Sequence, residues 1–310
     1  MKLSIVSTLF QSESSIEAFV EELVAVAAFW SEGDFEVILV DDGSPDDSLT
    51  IARNLLQEIP QLVIVELSRN FGHHAAISAG LEASTGDYVF LIDSDLEEDP
   101  RWLVPMFEKL SAEGLDVVFA VQEKRNGSFL SRIGGAFFWR TLSSMSKIAI
   151  TPNQLTCRLM TREYVDALMS MQERVMFLSG LYSWAGFKQA SVVVSKRSTA
   201  LGRKSSYTTS RRFLLATDSL TSFSAGPIYL IFWLGLIIWV VSALYTVFLV
   251  ARRIFIPEII VEGFTTTIVS IWFLGGTVLL ALGTLGIYVG NVFTETKQRP
   301  RFIVRKVHRG

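Results

Sequence analysis

The first 121 residues alternate short apolar runs with longer amphipathic stretches. The apolar runs are five to seven residues long, and their near-continuous hydrophobicity is typical of strands buried on both faces. The longer stretches between them have the mixed polar and apolar spacing of helices that cover a sheet. This alternation predicts an α/β domain with a doubly wound, mostly parallel sheet. The strands are predicted at 3–9, 35–41, 62–66, 88–92 and 117–121, and the helices at Ser14–Trp30, Asp46–Gln57, His73–Ser84 and Pro100–Ala112.

Two local patterns sharpen this prediction. The segment Met1–Phe10 is apolar, but the polar residues that follow from Gln11 leave it too short for a signal-peptide core, so it is predicted to be the first strand. Asp99 followed by Pro100 predicts a helix start, because aspartate is a good N-cap and proline suits the first helical turn.

A second part of the chain is almost free of charge. The 310 residues include 28 basic and 31 acidic side chains, but only four of these lie between residues 219 and 294. Two runs there are longer than the roughly 20 residues that cross a bilayer. Buried core helices rarely run this long without a charge, so two transmembrane helices are predicted at about 227–251 and 264–289, within a membrane part at 225–291. The GxxxG spacing of Gly286 and Gly290 favours close helix contact, either within the chain or between subunits.

Charges next to this part predict its orientation. Residues 196–212 carry six basic side chains and no acidic one, and residues 295–310 carry six basic and one acidic. By the positive-inside rule, a soluble domain at 1–206 and a basic tail at 292–310 both lie in the cytoplasm. Residues 207–224 are predicted to form an interfacial amphipathic helix, and its basic surroundings are expected to attract anionic lipids.

Several classes of protein are disfavoured by composition. Cys157 is the only cysteine, which excludes an intrachain disulfide and a cysteine-based zinc cluster. His73, His74 and His308 are the only histidines, so a zinc hydrolase is a poor interpretation. No GxGxxG follows the first predicted strand, which disfavours a dinucleotide-binding dehydrogenase.

Acidic residues follow two of the predicted strands. The second strand ends in Asp41 and Asp42, and the fourth ends in Asp93-Ser94-Asp95. Ligands of such sheets bind beyond the carboxyl ends of the strands. Asp-x-Asp places two carboxylates on one side of an extended backbone and leaves coordination positions open for phosphate oxygens, which is how Mg²⁺ is usually held. A solvated acidic loop is the alternative for an isolated DxD, but its place after a buried strand favours a cation site.

Seven motifs in order give the chain a resemblance to a known family. They are LSIVSTLFQSES at 3–14, VDDGSPDDS at 40–48, LSRNFGHHAAISAGL at 67–81, DYVFLIDSDLEEDP at 87–100, RLMTREYVDAL at 158–168, TSFSAGPI at 221–228 and the segment 287–304. Along nearly its whole length the chain resembles family 2 glycosyltransferases of the polyprenyl-phosphate sugar transferase type. It is similar to dolichol-phosphate mannose synthase and the bactoprenol glucosyltransferases.

The resemblance implies a GT-A fold that binds a nucleotide diphosphate sugar, with a UDP-sugar favoured. It implies Mg²⁺ or Mn²⁺ as the cofactor, with Asp93, Asp95 and Glu97 as metal ligands. The catalytic residues would be Asp93, Asp95 and Arg132. The substrate-binding residues would be Thr8, Phe10, Glu13, Asp41, Asp42, Asn70, Gly72, Ser94, Arg125 and Lys204. For Arg125, Arg132 and Lys204, a solvated or lipid-facing role is the alternative.

Four positions depart from the family pattern. Thr8 and Gln11 stand where proline and asparagine are usual, and Glu97 stands where glutamine is usual. Thr156 replaces an aspartate that is proposed as a base in many relatives. Removing a positioned base typically costs about 10²- to 10⁴-fold for a hydroxyl acceptor, whereas a phosphate monoester has a second pKa near 6 and is largely ionised at neutral pH. Thr156 therefore weakens a hydroxyl-acceptor reaction more than a phosphate-acceptor reaction.

Together these features predict an inverting, metal-dependent glycosyltransferase that uses polyprenyl (undecaprenyl) phosphate as acceptor in cell-surface polysaccharide or lipopolysaccharide modification. The resemblance implies a multi-pass protein of the bacterial inner membrane, with the catalytic domain and both termini in the cytoplasm. It also implies a homo-oligomer, as a tetramer, and no nucleic-acid partner. The alternatives are transfer to a lipid hydroxyl such as diacylglycerol, and a catalytically inactive membrane scaffold.

Overall fold

The computed structural model describes residues 1–31, 33–122, 154–171, 178–197 and 264–309, with residues 151 and 173 and part of the positions between 231 and 248. The chain divides into two compact units. The first comprises Met1–Trp139, Ile148–Thr208 and Arg299–Gly310, and the second comprises Arg140–Lys147 and Thr209–Gln298. The first unit therefore contains chain segments from both sides of the second.

A mixed sheet forms the centre of the first unit. Its strands are β1 Leu3–Leu9, β2 Phe35–Asp41, β3 Leu62–Leu67, β4 Tyr88–Leu91, β5 Val117–Gln122, β6 Gln154–Thr161, β7 Gln189–Val194 and β8 Val304–Arg309. Their order is β7-β5-β6-β4-β1-β2-β3-β8. Neighbours among β4, β1, β2 and β3 are parallel, as are β5 and β7, whereas β6 and β8 run antiparallel to their neighbours. The five predicted strands are confirmed, and β6, β7 and β8 are additional.

Helices cover both faces of this sheet, as a doubly wound fold requires. They are α1 Ile16–Ser31, α2 Ser48–Glu58, α3 His73–Ala83, α4 Leu103–Glu113, α5 Arg162–Ser170 and α6 Leu178–Trp184. The side chains of α1, α2 and α4 join a single apolar core with alternate residues of the strands. Helix α3 packs on the opposite face, where a Cβ added to Gly80 would collide with Val6 and Val40. The glycine thus lets α3 lie close to the sheet.

The predicted start of the fourth helix is confirmed. The Asp99 side chain accepts a hydrogen bond from the Arg101 backbone N–H at 3.0 Å and caps a 3₁₀ turn at Pro100–Trp102. This turn continues directly into α4, which ends at Gly114 in the left-handed conformation, with φ +58°. The cap and the terminal glycine both act where the sequence pattern predicts the helix boundaries.

The predicted basic tail contains the edge strand β8. Residues of β8 pair antiparallel with β3, and the Ser68 N–H donates to Ile303 O at 2.9 Å. Glu66 on β3 is buried and lies 2.7 Å from Arg53 Nη2, 3.0 Å from His308 Nε2 and 3.4 Å from Arg305 Nη1. Burial opposes ionisation of Glu66, but the hydrogen bonds from His308 and Arg53 lower its pKa overall. Edge strands commonly carry basic residues, so the charge of this segment does not distinguish a strand from a free tail.

The second unit contains one long apolar helix within its described residues. Helix α7, Phe264–Thr296, has 33 residues and extends past the predicted end at 289. Its part Leu274–Thr296 is long and apolar enough to cross a membrane. The described positions between 231 and 248 are helical, which covers part of the first predicted span, and the predicted interfacial helix at 207–224 lies outside the described residues. One candidate span is therefore observed in the described chain, and the second stays a prediction.

Candidate functional site

The carboxyl ends of three neighbouring strands meet at one edge of the sheet. Strands β4, β1 and β2 are parallel, and Leu9 at the end of β1 lies opposite Asp41 at the end of β2. The loop that enters α3 reaches the same edge. The Asp42 carboxylate accepts hydrogen bonds from the backbone N–H groups of Phe71 at 2.7 Å and Gly72 at 2.9 Å. The predicted residues Asp41, Asp42 and Gly72 are thus brought together.

The turn after β2 packs directly against the backbone of that loop. Gly43 has φ +65°, and a Cβ at this position would lie 2.7 Å from Asn70 N and 2.8 Å from the carbonyl carbon of Arg69. Only glycine fits this approach without a shift of the backbone. The Asp41 side chain accepts a hydrogen bond from Ser44 N–H at 3.3 Å, and burial raises the pKa of Asp41. Both acids of this turn therefore help to fix the walls of the site.

The turn after β1 is joined to the loop after β2. The Glu13 N–H donates to Asp46 Oδ2 at 3.3 Å, and Glu13 Oε2 accepts from Asp47 N–H at 3.2 Å. Phe10 lies at the surface of this turn with 44% of its area exposed. Gln11 has φ +55°, a left-handed conformation that asparagine adopts more readily than glutamine. Gln11 thus holds a backbone conformation that is unfavourable for its side chain at the turn between Phe10 and Glu13.

The predicted DxD residues lie in a tightly fixed turn after β4. Ser94 Oγ donates to Thr8 O at 2.8 Å, and Asp95 Oδ1 accepts from Glu97 N–H at 2.9 Å. Leu96 has φ +61°, and its side chain packs on the core, which holds this unfavourable conformation in place. Burial, with a further contribution from the negative charge of Asp93, raises the pKa of Asp95. Asp93 and Asp95 are separated by one residue in this turn, so two like charges stand in the same turn when both are ionised.

This pair of carboxylates fits the cation that the resemblance implies. Mg²⁺ prefers oxygen ligands and is usually held by one or two carboxylates together with substrate phosphates and water. A cation between Asp93 and Asp95 would relieve their repulsion. Among the residues that the structure describes, no group of three or more His, Cys, Asp or Glu side chains could hold a metal ion. Glu97, the predicted third ligand, directs its Oε2 to Lys196 Nζ at 2.8 Å.

The sequence did not identify His73 as a site residue. Its Nδ1 lies 3.1 Å from Thr8 Oγ1, and its Nε2 lies 3.6 Å from Asp93 Oδ1. His73 begins α3 directly after Gly72, so its side chain reaches across to the ends of β1 and β4. Its position immediately after Gly72, a predicted substrate-binding residue, was the pattern that could have indicated this role. His73 thus stands between Thr8 and Asp93, and its 3.6 Å approach to Asp93 is a close contact that is too long for a hydrogen bond.

A second missed residue is Glu98, which is 1% exposed. Its Oε2 accepts from Asp93 N–H at 3.0 Å and its Oε1 from Cys157 N–H at 3.3 Å. Burial, together with the negative charge of Asp93, raises the pKa of Glu98 to about 8. Glu98 thereby links the end of β4 to β6, next to Thr156. The sequence pattern could not separate this buried acid from its neighbour Glu97.

These acids predict that the metal-free protein loses stability as the pH rises from about 5 to 8. A carboxyl whose pKa is higher in the folded state than in the unfolded state is protonated preferentially on folding, and this contribution is lost as the pH rises toward the folded pKa. For Glu98 the window runs from the ordinary value of 4.5 to about 8. At about 1.4 kcal/mol per pKa unit the change amounts to a few kcal/mol.

Thermal unfolding in EDTA at several pH values checks this prediction, and Mg²⁺ should flatten the decline because a cation favours the ionised acids. Asp46, Glu66 and Asp99 have lowered pKa values, so they stay ionised across this window and do not oppose the trend. A midpoint that rises steadily from pH 5 to 8 in EDTA would contradict the prediction.

The remaining predicted positions differ in what the structure describes. Arg125, Arg132 and Lys204 lie outside the described residues. Thr156 lies in β6, where its carbonyl accepts a hydrogen bond from Arg158 Nε at 3.2 Å. Arg158 is buried, with its guanidinium 3.3 Å from the centre of the Tyr182 ring.

Two basic residues that the sequence analysis counted in the basic flank at 196–212 contact acids of this unit. Lys196 pairs with Glu97 at 2.8 Å. Arg197 pairs with Glu22 at 2.7 Å and with Asp99 at 2.8 Å. The positive-inside pattern counts charges but does not reveal acids that lie nearby only in the folded chain.

Comparisons with known proteins give the following similarities. The model of glycosyl transferase family 2 matches residues 4–169. A Mycobacterium tuberculosis protein, assigned by its name to the glycosyltransferases, is 43% identical over 308 residues, which cover 99% of this chain and 89% of that protein. The bactoprenol glucosyl transferase of Shigella phage SfII is 33% identical over 315 residues and covers 100% of this chain and 99% of its own length. A crystal structure of S. aureus TarS 1-349 in complex with UDP-GlcNAc superposes with a TM-score of 0.47 at 16% identity, covering 72% of this chain and 66% of that one.

Proposed function

The chain belongs to glycosyl transferase family 2, and from this premise we propose that it transfers a sugar from a nucleotide diphosphate sugar to a polyprenyl phosphate. The observation that supports the proposal is the place of two carboxylates, Asp93 and Asp95, in the turn that follows the carboxyl end of the buried parallel strand β4. They stand beside the fixed turn of Asp42 and Gly43. This combination offers a cation site next to a cleft edge that can take a nucleotide.

The acceptor is proposed from full-length similarity and from chemistry. The relative named bactoprenol glucosyl transferase aligns over the whole chain, so its similarity includes the apolar segments as well as the sheet. Thr156 stands at the position of the proposed family base, and threonine cannot act as a base at neutral pH. A phosphate acceptor is largely ionised there and needs no proton removed. Both features favour a lipid phosphate over a lipid hydroxyl.

The residues of the site have defined roles in this reaction. Phe10, Asp41 and Asp42 would bind or frame the nucleoside, and Asp93 with Asp95 would hold Mg²⁺ or Mn²⁺. When bound, the cation neutralises the charge that develops on the leaving diphosphate. The acceptor phosphate oxygen attacks the anomeric carbon while the bond to the donor diphosphate breaks, and the nucleoside diphosphate leaves with the electron pair. Positioning of the two substrates supplies much of the rate.

We also propose that the chain crosses the membrane twice. The first unit contains Met1–Trp139, Ile148–Thr208 and Arg299–Gly310, with β8 paired to β3. Because one folded unit includes both flanks of the apolar segment, that segment must return to the side from which it left. Helix α7 supplies one candidate crossing. A segment that returns to its original side crosses the membrane an even number of times, so a second crossing is needed. The basic flanks place the first unit on the cytoplasmic side.

A transfer assay tests the proposed function. Membranes that contain the full chain are incubated with Mg²⁺, a panel of labelled nucleotide sugars and undecaprenyl phosphate. We expect a labelled lipid that mild acid cleaves, since a glycosyl phosphate is acid-labile. A product stable to mild acid would indicate a lipid hydroxyl as acceptor. Absence of labelled lipid with every donor, and of metal-dependent nucleotide binding by calorimetry, would favour an inactive scaffold.

Thr156→Ala is expected to change the transfer rate less than about tenfold, because an ionised acceptor does not depend on a base at this position. Steady-state rates with saturating undecaprenyl phosphate measure the effect. A loss of about 10²-fold or more in a variant that unfolds at the wild-type temperature would show that Thr156 takes part in the reaction.

A further inference from the structure

Glu97 and Lys196 form an ion pair across 99 positions of the chain. Lys196 Nζ lies 2.8 Å from Glu97 Oε2, and the side chains are 23% and 35% exposed. Lysine is charged at neutral pH, and the pair is held in a partly desolvated environment.

The backbone around Lys196 is fixed to the same acidic loop. The Arg197 N–H donates to Glu97 O at 2.9 Å. The Arg197 guanidinium contacts Asp99 Oδ1 at 2.8 Å and Glu22 Oε2 at 2.7 Å. These contacts hold the segment that follows β7 against residues 97–99, so the position of the Lys196 ammonium does not depend on one flexible side chain. Most exposed ion pairs lack such support.

The Glu97–Lys196 pair matters because negative charge is concentrated near the proposed donor site. The turn after β4 carries Asp93 and Asp95, and a nucleotide diphosphate sugar brings further negative charge. Glu97 follows Asp95 by two residues, at a position where glutamine is usual in the family that the chain resembles. An unpaired Glu97 would add a carboxylate beside the cation and the diphosphate, and like charges in such a site repel strongly.

We propose that Lys196 is a positioning residue that neutralises Glu97 and holds its carboxylate away from the cation and the donor diphosphate. This inference rests on the proposed function. It accounts for a glutamate in place of glutamine, because the Glu97–Lys196 pair has the same net charge as a single glutamine. Lys196 acts through Glu97 and does not contact the reacting atoms.

Four variants of the full chain in detergent test this role. Lys196→Ala is expected to raise the donor KM at least tenfold with a smaller effect on kcat, and to tighten binding of Mn²⁺ alone, because Glu97 is released toward the cation. Glu97→Gln is expected to lower the donor KM severalfold, since Lys196 then adds a positive charge. The double variant restores the net charge, so its donor KM should return to within about threefold of wild type. Lys196→Arg should have a donor KM close to the wild-type value.

The outcomes separate this inference from its rivals. A double variant as impaired as Lys196→Ala would mean that Lys196 contacts the donor directly, and a wild-type donor KM in Lys196→Ala would mean that it has no role. Either result overturns the inference. If Lys196→Ala fails to fold, Lys196→Gln keeps a hydrogen-bond donor without the charge and is subject to the same expectations.

Arg101→Ala is the matched control. Arg101 pairs with Asp99 in the same loop at 2.8 Å, but its side chain is 72% exposed and makes no contact with Glu97 in the described structure. We expect this variant to keep the wild-type donor KM and Mn²⁺ affinity. If the wild type itself transfers no sugar, the proposed function fails, whereas calorimetry with Mn²⁺ alone still reports on the Glu97–Lys196 coupling.

Discussion

Asp95→Asn is expected to reduce sugar transfer by about 10³-fold or more. Asp95 is one of two carboxylates that fit the cation at the end of β4, and its side chain is fixed by the hydrogen bond from Glu97 N–H at 2.9 Å. Asparagine keeps the shape but removes the charge. Stabilisation of a leaving group by a cation is worth several kcal/mol, and each 1.36 kcal/mol corresponds to a factor of ten in rate. Initial rates with saturating Mg²⁺ and donor measure the loss.

The stability of this variant provides an independent check. Burial and the charge of Asp93 raise the pKa of Asp95, so its ionised form is unfavourable in the metal-free fold. We therefore expect Asp95→Asn to unfold at the wild-type temperature or above it in EDTA. Asp166→Asn is the control, since Asp166 is an exposed acid that pairs with Arg162 at 3.6 Å on α5. Retention of more than about a tenth of the activity in Asp95→Asn would contradict the assignment of Asp95 to the cation.

Gly43→Ala should destabilise the first unit by about 2–5 kcal/mol and weaken donor binding severely. The left-handed conformation costs a non-glycine residue about 1–2 kcal/mol. The added Cβ would also overlap the backbone of Arg69 and Asn70, at 2.8 and 2.7 Å, and overpacking typically costs a further 1–3 kcal/mol. The loop must then move away, which breaks the hydrogen bonds that Asp42 accepts from Phe71 and Gly72. Thermal unfolding and nucleotide calorimetry measure the two effects.

Gly114→Ala separates the cost of the left-handed backbone conformation from the cost of the overlap with the neighbouring loop. Gly114 has φ +58°, close to the value at Gly43, but a Cβ there would have no atom within 4 Å. This control should lose about 1 kcal/mol of stability and keep its donor affinity. Equal losses in the two variants would show that the contact between the two loops is unimportant.

The strands that sequence predicts are those that are buried on both faces by helices. In β1 to β5 most positions are apolar, and that pattern can be recognised without knowledge of the neighbouring strands. Strand β6 was missed because Arg158 interrupts its apolar run. In the folded chain this buried guanidinium packs on the Tyr182 ring and donates to the carbonyl groups of Thr156 and Leu155. Strand β8 was missed because its basic residues find Glu66 only in the folded chain. Long-range pairing of this kind leaves no local periodicity.

The site residues also divide into those whose place sequence predicts and those whose place depends on long-range pairing. The places of Asp41, Asp42, Asp93 and Asp95 followed from their position after buried strands, which is a local property. The roles of the neighbouring acids Glu97 and Glu98 did not follow from their position in the sequence. Glu97 faces Lys196, while Glu98 is buried between Asp93 N–H and Cys157 N–H. Adjacent residues of a turn point in different directions, and which one is buried depends on β6.

The pairing of β8 with β3 also sets an order of events during biosynthesis. Strand β8 follows α7 in the chain, so the ribosome makes it only after the apolar segment. Until then β3 is an open edge, and of the three basic partners of Glu66 only Arg53 has been translated. An open edge invites pairing with other chains. Nascent chains that stall during insertion therefore carry an incomplete sheet whose open β3 edge can pair with other chains. The pairing of β8 with β3 is a late step in the maturation of the enzyme.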